Sequence, residues 1–123
     1  MAVFGLGLDL CDVPRIRAAL ARFPGRFRGR IFTPAEVEFC DARPDPAASY
    51  AARFAAKEAF SKALGTGLRG AIAWREVEVC DNERSRPTIR AAGRAARYLA
   101  GRRVHLSVTH LPGYAAAVVV IED

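Results

Sequence analysis

The chain has 123 residues, 51% hydrophobic and 26% charged, which is the composition of one globular domain with a modest core. Its longest apolar run, 115–121, is far shorter than the roughly 20 residues of a membrane-spanning helix, so we expect no membrane partner. The formal net charge of +6 fits an ordinary solvated surface or an acidic partner, whether nucleic acid, a phosphorylated cofactor or an acidic protein.

The first predicted element is a strand over Val3–Leu10, in which apolar and small residues alternate. One face carries the larger apolar side chains and is expected to be packed: Phe4, Leu6, Leu8 and Leu10. The other face is bared by Gly5 and Gly7 and ends in the carboxylate of Asp9. Such a face leaves room for something bulky close to the backbone.

Asp12 is expected to cap a helix that has Pro14 in its first turn and runs to about Arg22. Three cysteines also belong to the early and middle chain: Cys11, Cys40 and Cys80. Their wide spacing and odd number indicate reduced thiols rather than a disulfide framework or a zinc site. The N-terminus lacks the features of a signal peptide, so we expect a cytoplasmic protein.

The segment Arg22–Arg30 is basic, and its proline and two glycines favour a loop. A capping box over Thr33–Glu36, with proline at the first helical position, predicts a short helix after it. A long helix is then expected from about Ala48 to Leu64, and the turn Gly65–Gly67 ends it.

The last third predicts strands at Glu76–Cys80 and Thr88–Arg90, a helix over Gly93–Ala100, and a hairpin of Val104–His110 with Tyr114–Ile121. The unbroken apolar run of the last strand predicts burial on both of its faces. The fold class is therefore expected to be α+β, with helices packed on an antiparallel sheet in a single domain over residues 1–123. Much of the apolar content is alanine, so the core is expected to be thin or completed by another chain.

On a helical wheel, Glu58, Ser61 and Lys62 share one strip of the long helix, and Lys57 lies at its edge. The opposite side carries a core stripe of Ala52, Ala56, Ala59, Phe60 and Ala63. A simple Glu58–Lys62 ion pair one turn apart would explain the strip as an exposed face.

Two of the chain's 19 basic residues are lysines, and both lie in this helix, at 57 and 62. Lysine is a compact point charge that suits a phosphate oxygen where a guanidinium would crowd. Asp9 could supply a second carboxylate beside Glu58, and two carboxylates with a hydroxyl and a lysine match the way Mg²⁺ is held against a phosphorylated substrate. Spacing alone does not show that Asp9 and Glu58 meet.

Five motifs, read in order, strongly resemble the holo-acyl-carrier-protein synthases, the short type of the 4′-phosphopantetheinyl transferase superfamily. They are GLGLD at 5–9, RI at 15–16, FTPAE at 32–36, RFAAKEAFSK at 53–62 and LSVTH at 106–110. The resemblance covers nearly the whole chain. It implies a homotrimer with coenzyme A bound between subunits, and transfer of phosphopantetheine from coenzyme A to a serine of apo-acyl carrier protein, with release of adenosine 3′,5′-bisphosphate.

By matching position, the resemblance implies that Asp9 and Glu58 hold Mg²⁺ and that Lys62 neutralises charge on the pyrophosphate; these three are the expected catalytic residues. It also implies a coenzyme A site and a carrier-protein surface. The coenzyme A residues would be Arg53, Lys57, Ser61, Lys62, Gly65, Thr66, Gly67, Thr109 and His110. The carrier-protein residues would be Arg15, Arg26, Phe27 and Arg30, whose charge suits the acidic carrier.

Two candidates for the general base stay open: Glu58 acting through a metal-bound water, and His110. His105 and His110 lie on opposite faces of their strand and cannot act as a pair, so one of them is expected to be structural. Some relatives have an aspartate after this histidine; here it is Leu111, which leaves His110 with a structural or nucleotide-binding role as alternatives.

Two other functions compete with the transferase. A small basic nucleic-acid-binding domain would bind through phosphate contacts, but the arginines are not gathered on a recognition helix and no nucleic-acid motif is present, so no nucleic-acid partner is expected. An inactive relative that binds coenzyme A without chemistry is disfavoured because the carboxylates and lysines are present.

Overall fold

The structure, a computed structural model, describes residues 2–81 and 84–123. Five helices, five strands and one short 3-10 helix follow one another in these residues. In chain order they are β1 (Val3–Asp12), α1 (Val13–Arg22), α2 (Pro24–Ile31), α3 (Pro34–Asp41), α4 (Pro46–Leu64), a 3-10 helix (Trp74–Glu76), β2 (Val77–Asp81), β3 (Pro87–Ala91), α5 (Gly93–Leu99), β4 (Arg103–Leu111) and β5 (Tyr114–Glu122). None of these helices combines the length and hydropathy of a bilayer span.

The expected α+β class with an antiparallel sheet is confirmed. Strand β5 lies at the centre of a three-stranded sheet with β1 on one side and β4 on the other, and β2 pairs with β3 in a separate hairpin. The register sets Gly7 opposite Val119 and Asp9 opposite Ala117. Helix α4 lies along one face of the larger sheet and contributes more buried core residues than any other element.

The glycine face of β1 packs directly against the backbone of α4. A Cβ atom on Gly5 would lie 1.7 Å from the carbonyl oxygen of Ala63, and one on Gly7 would lie 1.8 Å from that of Ala59. The bulky neighbour predicted for this face is therefore the helix itself. Such a close approach requires small residues on both sides, which explains why α4 is rich in buried alanine.

The leucine face of β1 is exposed in the subunit, contrary to the prediction that it is packed. Leu6, Leu8 and Leu10 are 63%, 66% and 65% exposed. The last strand also departs from the prediction of burial on both faces: Val119 and its alternate neighbours are buried under α4, whereas Val118 and Val120 are only half-buried. The side of the sheet away from α4 is thus a largely uncovered apolar surface, which we call the outer sheet face.

Residues 24–31 form helix α2, so the prediction of a basic loop over Arg22–Arg30 was wrong. Pro24 occupies the first turn, where its missing N–H costs no hydrogen bond. Phe27 and Ile31, one turn apart, pack against the core and outweigh the poor helix propensity of the two glycines.

Candidate functional site

A cleft of about 400 Å³ lies between the end of β1 and the helices α1 and α4. Asp9 from the strand and Glu58 from mid-helix both line it, together with Arg15, Phe27 and Phe54. Asp9 reaches the cleft because it follows Gly7 on the helix-facing side of β1, and Glu58 because α4 lies against those glycines. The two carboxylates that spacing could not bring together therefore face one cavity.

Lys62 joins the helix to the strand at this cleft. Its ammonium donates to the carbonyl oxygen of Leu8 at 3.0 Å and to Oδ1 of Asp9 at 3.1 Å. The Lys62 side chain remains 52% exposed, so it also faces solvent. Lys62 forms its ion pair with Asp9 on β1. The helical wheel had suggested Glu58, one turn away on the same helix, as an alternative partner.

Three carboxylates line the cleft, those of Asp9, Asp12 and Glu58, and they affect the pKa values of its other groups. Burial raises the pKa of Glu58, the charge of Asp9 raises it further, and Lys62 and Arg69 act in the opposite direction. Burial, followed by Asp9 and Asp12, raises the pKa of the Cys11 thiol to about 11. A cation bound here would relieve the repulsion between Asp9 and Glu58.

The described residues contain no cluster of three or more histidine, cysteine, aspartate or glutamate side chains with metal-ligand geometry. Two carboxylates are nevertheless a sufficient protein contribution for Mg²⁺, which usually completes its shell with water and substrate phosphate. Asp9 and Glu58 therefore fit a magnesium site that needs a phosphorylated substrate to complete it.

Lys57 is not at the edge of the cleft, where the wheel placed it. Its side chain has no exposed surface, and its ammonium lies 2.7 Å from Oε1 of the equally buried Glu36. It also donates to the carbonyl oxygens of Trp74 and Val77. Three acceptors saturate the ammonium, so Lys57 does not fit the expected direct contact with coenzyme A.

Two other residues expected at the coenzyme site are buried as well. Ser61 is fully buried and its hydroxyl donates to the carbonyl oxygen of Glu58 at 2.8 Å. Arg53 is 8% exposed, with its guanidinium carbon 4.0 Å from the ring centre of Phe39. Among the described residues its Nε has no hydrogen-bond partner, which is unusual for a buried donor.

The predicted turn at the end of α4 is confirmed. Gly65 caps the helix in the left-handed region with a φ of 88°, and Gly67 also has a positive φ of 66°. The backbone N–H groups of residues 65, 66 and 67 all turn back onto the carbonyl oxygen of Ser61. This turn presents backbone close to the surface at the same end of α4 as Lys62.

Thr109 and His110 do not join the cleft within one subunit. The register places Thr109 beside Ala116 and Leu10 on the outer sheet face, on the other side of the sheet from Asp9. His110 is exposed near the end of β4, on the opposite face from His105 as predicted. His105 pairs with Glu122 on the outer sheet face.

A second groove, of about 430 Å³, runs along α2 and shares Phe27 with the cleft. Arg26, Arg30 and Trp74 line it, so three of the four residues expected to face the carrier protein lie together there. The fourth, Arg15, lines the carboxylate cleft itself.

Sequence reasoning missed the partners of two residues. The wheel placed Phe54 near Glu58, but gave no sign that its ring stacks on Trp74, with ring centres 4.9 Å apart. Glu36 was interpreted only as a helix-capping residue, and the capping box gives no signal that its carboxylate also reaches a buried lysine.

Comparison with known proteins gives the same family for sequence and structure. The model of the 4′-phosphopantetheinyl transferase superfamily matches residues 5–119. The holo-[acyl-carrier-protein] synthase of Koribacter versatilis is 48% identical, covering 98% of this chain and 99% of that protein. The synthase of a Methylobacterium species is also 48% identical, over 98% and 94% of the two chains.

Solved structures agree over the whole fold. The crystal structure of the Neisseria meningitidis holo-[acyl-carrier-protein] synthase has a TM-score of 0.90 at 34% identity, covering 99% of this chain and 100% of that one. The Helicobacter pylori synthase, solved in complex with coenzyme A, has a TM-score of 0.84 at 29% identity, covering 95% and 99%. The chain belongs to the 4′-phosphopantetheinyl transferase superfamily, and within it to the holo-acyl-carrier-protein synthases.

Proposed function

We propose that this enzyme transfers 4′-phosphopantetheine from coenzyme A to a serine of an apo-acyl carrier protein and releases adenosine 3′,5′-bisphosphate. The observation that carries the proposal is that Asp9 and Glu58 line one cleft and that Lys62 is bonded to Asp9, all at the family's motif positions. Relatives named for this activity support the assignment, as does the solved complex of the Helicobacter pylori enzyme with coenzyme A.

The reaction uses Mg²⁺, and Asp9 and Glu58 are its protein ligands. Their mutual repulsion in a partly buried cleft is the feature that fits a divalent cation. When bound there, Mg²⁺ withdraws charge from the coenzyme A pyrophosphate as a Lewis acid.

In the transfer, the serine oxygen forms a bond to the phosphorus of the phosphopantetheine arm. The bond from that phosphorus to the bisphosphate oxygen breaks, and the hydroxyl proton passes to a base. The first candidate for this base is Glu58, acting through a metal-bound water, and the second is His110. Lys62 places its ammonium beside Asp9, where it balances the charge that develops on the leaving bisphosphate.

Coenzyme A lies near the end of α4 in this proposal. The turn at Gly65–Gly67 is the feature there that suits a phosphorylated nucleotide, because it lets backbone approach a ligand closely. Arg53, with its unpartnered Nε, would contribute from the first half of α4. Ser61 supports the site from within the helix through its bond to the Glu58 carbonyl. Thr109 contributes from a neighbouring subunit, since it faces away from the cleft of its own, whereas His110 contributes from the opposite face at the exposed end of β4.

The subunits assemble as a homotrimer through the outer sheet face. Several large apolar side chains there are more than half exposed, which a monomer of this size seldom leaves uncovered. The chain's alanine-rich core is consistent with a fold completed by its neighbours. Assembly through this face would also bring a second chain to the end of β1, next to the cleft.

The carrier protein docks on α1 and α2. Arg15 lies in the carboxylate cleft, and Arg26 and Arg30 line the groove that continues from it past Phe27. These cations complement an acidic partner, and their continuity with the cleft gives the acceptor serine a route to Glu58. Coenzyme A and acyl carrier protein are substrates of a cytoplasmic enzyme, so we propose that this protein is cytoplasmic.

The test is a labelling assay with purified protein, coenzyme A, Mg²⁺ and an apo-acyl carrier protein, read by intact-mass spectrometry. The carrier should gain one phosphopantetheine unit, and chelation of the metal should prevent the gain. No mass gain with a panel of fatty-acid and polyketide carriers would remove the proposed function.

A further inference from the structure

We propose that the buried ion pair of Glu36 and Lys57 positions the transfer site: it fixes the rotation of α4 that presents Glu58 to the cleft and seats Phe54 beside it. The inference rests on the proposed function, since it assigns two positioning residues to that reaction. Neither residue touches the cleft, and both act through others.

The pair ties together four segments of the chain. The carboxylate of Glu36 accepts from the backbone N–H of Thr33 at 2.9 Å and from that of Val79 at 2.7 Å, in addition to Lys57. The ammonium of Lys57 donates to the carbonyl oxygens of Trp74 and Val77. The start of α3, the 3-10 helix and β2 are thereby bonded to one point on α4.

That point lies immediately before Glu58. A lysine held by three fixed acceptors sets the rotation of its helical turn, and the direction of the next side chain follows from it. The apolar packing of α4 on β1 is not directional. The directional side-chain bonds on either side of Glu58 are those of Lys57, immediately before it, and those of Lys62, one turn after it, which reach Leu8 and Asp9.

The same pair also fixes the aromatic wall of the cleft. Trp74, whose carbonyl oxygen accepts from Lys57, carries the ring on which Phe54 stacks. Phe54 lines the cleft that contains Asp9 and Glu58. A shift of Lys57 would therefore move both a carboxylate and the wall next to it.

An ion pair with no exposed surface is a poor choice for stability alone. Replacing such a pair by apolar residues of similar volume is often neutral or stabilising, whereas removing one partner leaves a buried charge. Replacing both residues together therefore removes the positioning bonds without leaving an unpaired buried charge.

The experiment compares the wild type, the double variant Glu36→Met with Lys57→Met, and the variant Glu36→Asp, which keeps both charges and shortens the carboxylate. We expect the double variant to fold but to unfold at a lower urea concentration than the wild type, because the backbone groups of Thr33, Val79, Trp74 and Val77 lose their partners. Its kcat should fall at least tenfold, with the KM for the carrier protein unchanged. Glu36→Asp should lower kcat in the same direction, because Lys57 must move to follow the carboxylate.

A second measurement does not depend on turnover. Mn²⁺ binding in the presence of coenzyme A, followed by electron paramagnetic resonance, should weaken at least tenfold in the double variant, since Glu58 is displaced. Wild-type kcat and Mn²⁺ affinity in a folded double variant would overturn the proposal. Should that variant not fold, wild-type values in Glu36→Asp would overturn it in the same way. Failure of the wild type to label the carrier would count against the proposed function instead.

Discussion

Lys62 and Asp9 are joined across the fold: the ammonium of the helix residue lies 3.1 Å from Oδ1 of the strand residue. The same ammonium donates to the carbonyl oxygen of Leu8. A compact ammonium reaches both acceptors from one position, whereas a planar guanidinium would have to tilt its fork to do so. This geometry offers a physical reason for a lysine at this site in a chain whose other basic residues, apart from Lys57, are arginines.

Lys62→Ala should lower kcat by about 10²–10³-fold, the usual cost of removing a group that stabilises charge in the transition state. Lys62→Arg should give an intermediate loss although it keeps the charge. Initial rates of carrier labelling measure both. Arg17→Lys, in the exposed pair with Asp45, is the matched control and should have wild-type activity. Full activity in Lys62→Arg would show that geometry at this position does not matter.

Gly7→Ala should lower the free energy of unfolding by about 3 kcal/mol or more, because its new methyl group would meet the backbone of α4 rather than a movable side chain. Urea denaturation measures the change. Gly29→Ala in α2 has open space around it and should stabilise the protein by about 0.5–1 kcal/mol, as alanine favours a helix. If Gly7→Ala were as stable as the wild type, the close strand–helix contact would be wrong.

The hydrogen bonds of Glu76 should make the free energy of unfolding depend on pH in the acid range. Its carboxylate accepts from the backbone N–H groups of Ala73 and Arg94, both at 2.7 Å, and these bonds lower its pKa from the ordinary 4.5. Because the folded pKa is depressed, the stabilisation is present in full above about pH 4.5 and is lost as pH falls through the folded value.

Glu76→Gln should therefore lower the free energy of unfolding at pH 7 by about 1–2 kcal/mol, since an amide presents only one acceptor to two donors. The difference in free energy of unfolding between variant and wild type should narrow as the pH falls below 4.5, the pKa of the free carboxyl group. Urea denaturation across this pH range measures it, with Glu38→Gln on the exposed side of α3 as control. A gap that stays constant into acid would contradict the assigned hydrogen bonds.

Leu6→Glu tests the assembly. A charge on the outer sheet face should convert the proposed trimer to monomers and lower labelling activity, because Thr109 would no longer reach a neighbouring cleft. Light scattering with size-exclusion chromatography gives the mass of the assembly. Tyr98→Glu places the same charge on an exposed aromatic residue of α5 and should leave a trimer. A monomeric wild type would refute the proposed assembly.

The fold class, the hairpin and the cap of α4 were predictable from the sequence because they depend on local patterns: alternation, turn residues and a C-terminal glycine. The prediction assigned the wrong face of β1 to the core. Alternation shows that the two faces of a strand differ, but it does not show which one meets the core. Here the glycine face is inside, since only glycine lets α4 approach so closely.

The site was also only partly predictable, because sequence patterns do not show contacts between distant elements. The motif positions pointed to Asp9, Glu58 and Lys62; the fold places Asp9 and Glu58 in one cleft and bonds Lys62 to Asp9. Lys57 was misplaced because a helical wheel ranks residues by angle and cannot show a partner on another element. Its partner, Glu36, lies 21 positions earlier and had already been explained as a cap.

The central claim is that Asp9 and Glu58 share one divalent cation. Mn²⁺ binding followed by electron paramagnetic resonance, with coenzyme A present, tests it directly. We predict one site in the wild type, its loss in both Asp9→Ala and Glu58→Ala, and its retention in Asp12→Asn, which alters a carboxylate of the same cleft that instead caps α1. Undiminished binding of Mn²⁺ in either alanine variant would contradict the claim.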